Sequence, residues 1–153
     1  MMARARAALL CMLSLLLLLS CGDGRDARSI ADILCEDVVR LTYRTSLAGA
    51  SEGELTEQDE IRAVLQPLCA LPMTCDTESG GLPAELYTAS MIMGGLSMTC
   101  TVEGDDATYG VSVTKTGLVY ITVVTPDGRV TVYYTEDGAV AYESVLQGLG
   151  MEN

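Results

Sequence analysis

Histidine, tryptophan and phenylalanine are absent from this chain, and lysine occurs once, at position 115. Without histidine there is no Ser-His or Cys-His nucleophile pair, the usual arrangement for covalent catalysis. Lys115 is the single candidate for Ser-Lys chemistry. It sits in the turn sequence "KTG", where a solvated ammonium is a weak base. No glycine-rich phosphate loop occurs. Basic residues are scarce as well, nine against twenty-one acidic ones, for a formal charge of −12. Such a chain lacks the positive surface that neutralises phosphates, which excludes nucleic acid as a partner. These absences together point to a non-enzymatic protein.

What is present first is a greasy N-terminus. Arg4 and Arg6 precede an uninterrupted apolar to weakly polar run from Ala7 to Leu19. As a helix the run would reach ~20 Å, short of the ~30 Å hydrocarbon core of a bilayer. A positive start, a short apolar centre and a small residue at the end describe an export signal rather than a membrane span.

The residues that close the run, Leu18-Leu19-Ser20-Cys21, resemble the lipobox of bacterial lipoproteins. The resemblance implies a signal peptide over 1–20, cleavage before Cys21, and a diacylglyceryl group on the Cys21 thiol, whose thiolate is the nucleophile. It also implies a lipid anchor at a membrane, with the domain facing the periplasm or the exterior. Gly22 follows the cysteine, whereas aspartate there resembles an inner-membrane retention signal in enteric bacteria. The outer membrane is therefore preferred over the plasma membrane. An ordinary cut after Gly22, giving a free protein from Asp23, is the alternative.

Cleavage before Cys21 removes two of the nine basic residues and no acids, leaving seven against twenty-one and a formal charge of −14. Anionic lipid would repel such a domain, so the acyl chains and not a basic patch must hold it. Basic partners would be attracted, in a salt-dependent way.

Cys35, Cys69, Cys75 and Cys100 remain for the domain, at spacings of 34, 6 and 25 residues. Four cysteines in a small exported domain imply two disulfides, with three possible connectivities. Zinc would require closely spaced ligand pairs or histidines, and the chain offers neither. No metal or cofactor is expected.

Residues 21–28 read as a polar tether, and residues 29–153 as one α+β domain, helical over 29–95 and antiparallel sheet over 96–149. Ser29 and Asp32 form a capping pair, followed by Ile30, Leu34, Val38 and Leu41 at helical spacing, so helix is expected over about 29–46. Thr56 and Asp59 open a second helix carrying Ile61, Val64, Leu65 and Leu68, which Pro67 should kink or end. A third short helix is expected after Pro83.

Beyond Gly95 the period changes to two. Met98, Cys100 and Val102 alternate with Thr99, Thr101 and Glu103, and further strands follow at Tyr109–Val113, Leu118–Val124 and Val130–Thr135, with a fifth starting at Val140. The turns "EGDD", "KTG", "TPDG" and "EDG" make this a meander of four or five strands. Two or three helices are expected to pack on its apolar face. If helices 1 and 2 are antiparallel, Cys35 and Cys69 lie at similar height, so Cys35–Cys69 is the expected bond and Cys75–Cys100 the second. A kink at Pro67 would favour Cys35–Cys75 with Cys69–Cys100 instead.

The Thr/Ser face of the meander is the candidate binding surface, with Thr99 and Thr101 on it and Tyr133 as an aromatic anchor. Threonine is equally the ordinary solvent-side residue of a strand. "MIMGGLSMTC" gathers soft copper ligands but also reads as core filler. The acids of "EGDDA" and "EDG" lack calcium-loop spacing, and as turn acids they are solvated. The expected role is thus non-catalytic binding or structure toward a protein, a peptide or an envelope component. The alternatives are a carboxylate-dependent enzyme acting on envelope polymers and an inhibitor of a basic envelope-attacking enzyme.

Overall fold

The computed structural model describes residues 29–45, 51–76 and 95–151. The expected signal, the expected tether with Cys21, and the helix expected after Pro83 lie outside the described residues. The rest is α+β, as expected, but its order is interleaved. The elements run α1 (Ile30–Glu36), β1 (Val38–Thr45), β2 (Glu52–Leu55), α2 (Gln58–Cys69), β3 (Thr74–Asp76), β4 (Gly95–Val102), β5 (Thr108–Thr114), β6 (Val119–Val124), β7 (Val130–Thr135) and α3 (Ala139–Gly148). All strands join one antiparallel sheet in the order β2-β1-β4-β5-β6-β7-β3.

Helix α1 starts where the capping pair predicts. Asp32 N–H donates to Ser29 Oγ and Ser29 N–H to Asp32 Oδ2, both at 3.2 Å. It stops after seven residues instead of reaching position 46. Val38 and Val39 are β-branched and stiff in a helix. From there Arg40, Thr42 and Arg44 alternate with Leu41, Tyr43 and Thr45, the period of a strand. Strand β1 then pairs with β4 through Leu41–Cys100 and Tyr43–Met98.

The second helix forms close to its expected span. Glu57, not Thr56, is its N-cap, and no side chain caps it. Gln58 Nε2 donates to the Val38 carbonyl at 2.9 Å and pins the helix start to β1. Pro67 lies within the last turn, and the helix ends two residues later.

The expected fifth strand is a helix. "AVAYESVLQG" buries Ala141, Tyr142, Val145 and Leu146, the one-sided stripe of α3. Its N-cap, Gly138, is wedged so tightly that an added Cβ would lie 2.9 Å from the Gly117 carbonyl and closer still to Val119 Cγ2.

One face of the sheet and the three described helices share a single core. Leu34 of α1, Ile61, Val64, Leu65 and Leu68 of α2, and Ala141, Tyr142, Val145 and Leu146 of α3 pack with Leu41, Met98, Cys100, Tyr109, Val111 and Ile121 of the sheet. Burying each such large side chain contributes roughly 1.5–3 kcal/mol. The boundary expected at 95/96 between a helical and a sheet half does not exist. Strands β1 and β2 precede it and α3 follows it, because each helix needs the same sheet face as its cover.

Candidate binding face

Pairing register assigns every strand residue to a face. Tyr43, Met98, Val111, Ile121 and Tyr133 form one row beneath the helices. On the other side Glu54, Thr42, Thr99, Gly110, Thr122 and Val132 form a row, and Glu52, Arg44, Ser97, Ser112, Tyr120 and Tyr134 form the next. Arg40 and Thr101 begin a third.

Thr99 and Thr101 thus stand exposed on the face away from the helices, as expected. Tyr133 does not join them. It is half-buried against the core, opposite Ile121 and Cys75. The hairpin between β6 and β7 sets this parity. Thr125 N–H bonds to Arg129 O at 3.0 Å, which places Val124 opposite Val130. With Val119, Ile121 and Val123 inward, their partners Thr135, Tyr133 and Thr131 must be inward too. Strand β7 therefore turns its valines outward, and Val132 is buried on the face away from the helices.

Strand β1 adds what the sequence reading missed. Arg40 and Arg44 project, exposed, from the same face as Thr99 and Thr101, beside Glu52 and Glu54 of β2. Arg40 Nε lies 3.6 Å from Glu54 Oε1, and both side chains are at least half exposed. Such a pair contributes at most about 1 kcal/mol. A shallow open depression between β2, β1 and β4 is lined by Thr42, Tyr43, Arg44, Glu52, Gly53, Glu54, Ser97 and Thr99. A second groove, between α2 and α3, is mostly apolar, with Ala63, Pro67, Leu71, Val140 and Ala141 along it and Asp137 at its rim.

Cys35 is bonded to Cys69, as expected. The second expected bond, Cys75–Cys100, is not formed, and both are free thiols. Cys75 is exposed on β3, the edge strand, while Cys100 is buried on β4 with three strands between them. At ~4.8 Å per strand the two lie far beyond disulfide reach. Burial pushes the Cys100 thiol up to about 12, so it is chemically quiet.

Turn acids take local roles. Asp105 accepts from Tyr109 Oη at 2.7 Å and from Ala107 N–H at 2.9 Å. Hydrogen bonds from Thr125 and Arg129 hold the Asp127 carboxyl below its ordinary range. Among the described residues no three metal-ligating side chains converge. Met98 fills the core, and the other methionines of "MIMGG" lie outside the described residues. No helix among the described residues is long and apolar enough to cross a membrane.

Comparison with protein-family models, with curated proteins and with solved structures finds no match to the chain.

Proposed function

We propose that this chain is a bacterial envelope lipoprotein, tethered through Cys21, whose domain binds a protein, peptide or envelope component without catalysing a reaction. The lipobox-like Leu18-Leu19-Ser20-Cys21 supports the anchor. The observation that carries the binding role is the exposed half of the sheet, where Arg40 and Arg44 of β1 stand beside Ser97, Thr99 and Thr101 of β4. Strands β1 and β4 are each paired on both sides. Their side chains therefore form a fixed grid, about 4.8 Å between strands, and a partner meets them without ordering a loop. The covalent tie between α1 and α2 stiffens the layer behind.

The test compares the intact chain with an Arg44→Glu, Thr99→Glu double variant in pull-downs from envelope extract at low and high salt. The proposal expects a captured component that the variant loses and that salt weakens. Equal capture by both proteins at both salts contradicts it. A Cys21→Ala chain is expected to leave the membrane fraction while keeping its capture.

A further inference from the structure

We propose that β2 is an addition site for an extended basic strand, and that a partner docks there by lengthening the sheet. This deepens the binding reading above and rests on it.

Strand β2 ends the sheet, with β1 as its one neighbour among the described residues. Which of its backbone groups are free follows from the pairing. Thr45 N–H bonds to Ser51 O at 2.9 Å, and the register continues Arg44–Glu52, Tyr43–Gly53, Thr42–Glu54. In an antiparallel ladder hydrogen-bonded and open pairs alternate. Gly53 therefore bonds inward to Tyr43, while the N–H and C=O of Glu52 and Glu54 point away from β1. A strand laid along this edge finds two donors and two acceptors at regular spacing.

Side chains specify the occupant. Glu52 and Glu54 are exposed on the face away from the helices. A second copy of β2 would set carboxylate against carboxylate, so the edge resists self-pairing. Arg40, 3.6 Å from Glu54, and Arg44, opposite Glu52, meet these acids from the β1 side. Lysine or arginine at alternate positions of an added strand would meet the exposed carboxylates from the open side. Between them lies Gly53, whose missing side chain leaves room that the Tyr43 ring fills. A Cβ on Gly53 would lie 2.5 Å from Tyr43 Oη. The added residue facing that ring is apolar. The recognised pattern is basic-apolar-basic in extended conformation, and the depression beside β2 gives the basic side chains space.

The test uses the full chain in detergent micelles and two synthetic peptides of equal composition, Thr-Lys-Val-Lys-Thr and the blocked isomer Lys-Lys-Val-Thr-Thr, both with capped ends. Binding is followed by fluorescence anisotropy and by amide hydrogen exchange. The alternating peptide is expected to bind more tightly than its isomer and to slow exchange at Glu52 and Glu54 N–H. Glu54→Pro removes one outward N–H without touching a backbone bond to β1, at the cost of the exposed Arg40–Glu54 ion pair. It and the Glu52→Lys, Glu54→Lys double variant are each expected to weaken binding roughly tenfold, with thermal midpoints confirming that both stay folded. Equal binding of the two peptides, or slowed exchange at other strands, overturns the β2 site. If the intact chain still captures an envelope component that Arg44→Glu, Thr99→Glu loses, only the β2 site has failed. If that capture is absent too, the binding reading falls with it.

Discussion

Cys35, one residue from the end of α1, is bonded to Cys69, the last residue of α2, with their Cα atoms 6.4 Å apart. Between them the chain makes the β1–β2 hairpin, so the bond closes a 34-residue loop across two layers. The seven-residue α1 is too short to hold itself. A Cys35→Ala, Cys69→Ala protein is expected to lose about 3–4 kcal/mol, from the loop-entropy relation. Denaturant unfolding of the two proteins measures it, and a change below 1 kcal/mol would mean that α1 is held by packing alone.

The two free thiols among the described residues should differ sharply. Cys75 is exposed and Cys100 is buried. A maleimide at pH 8 is expected to label Cys75 within minutes and Cys100 only after unfolding. Peptide mapping of the labelled protein distinguishes them.

Cys100 also predicts an alkaline slope. Its folded pKa is raised from 9.0 to about 12. An unfolded thiol ionises near the lower value, so between the two the unfolded state holds fewer protons than the folded one. The stabilising contribution is complete below pH 9 and is lost as pH rises toward 12, at most about 1.4 kcal/mol per unit. Urea midpoints from pH 8 to 11 should fall less steeply in Cys100→Ala than in the parent chain.

Gly138 offers a steric test of the β7–α3 corner. Its N–H bonds to Gly117 O at 2.8 Å, and its φ of −95° is open to any residue, so the constraint is space alone. Gly138→Ala is expected to cost roughly 1–3 kcal/mol by overpacking. A neutral thermal shift would show that the Val119 side chain can move aside.

How much of this was legible depends on whether a segment carried one period or two. Met98, Cys100 and Val102 against Thr99 and Thr101 alternate without ambiguity, and β4 forms there with Thr99 and Thr101 outward. Residues 38–45 satisfy both periods. Val38 and Leu41 extend the helical stripe, while Arg40, Thr42 and Arg44 alternate as a strand. Read as a helix, these residues hide both exposed arginines of the sheet face away from the helices, and β2, four residues long, carries too little pattern to correct it. Strand β6 is apolar on both parities, so only the hairpin register could show that Tyr133 faces the helices. In α3, Val140 and Tyr142 mimic alternation, but Val145 and Leu146 complete a helical stripe. The disulfide is expected from two antiparallel helices, yet the described part of the 33 residues between its ends forms β1, β2 and most of α2. Its cysteines meet because both helices cover the same sheet face.

The anchor is the claim on which the envelope role depends, and the mass of the mature N-terminal peptide tests it most directly. Protein recovered from the membranes of a bacterium producing the full chain should begin at Cys21 and carry a diacylglyceryl group, and a Cys21→Ala chain should yield no such peptide. An unmodified N-terminus at Asp23, recovered from the soluble fraction, would contradict the account.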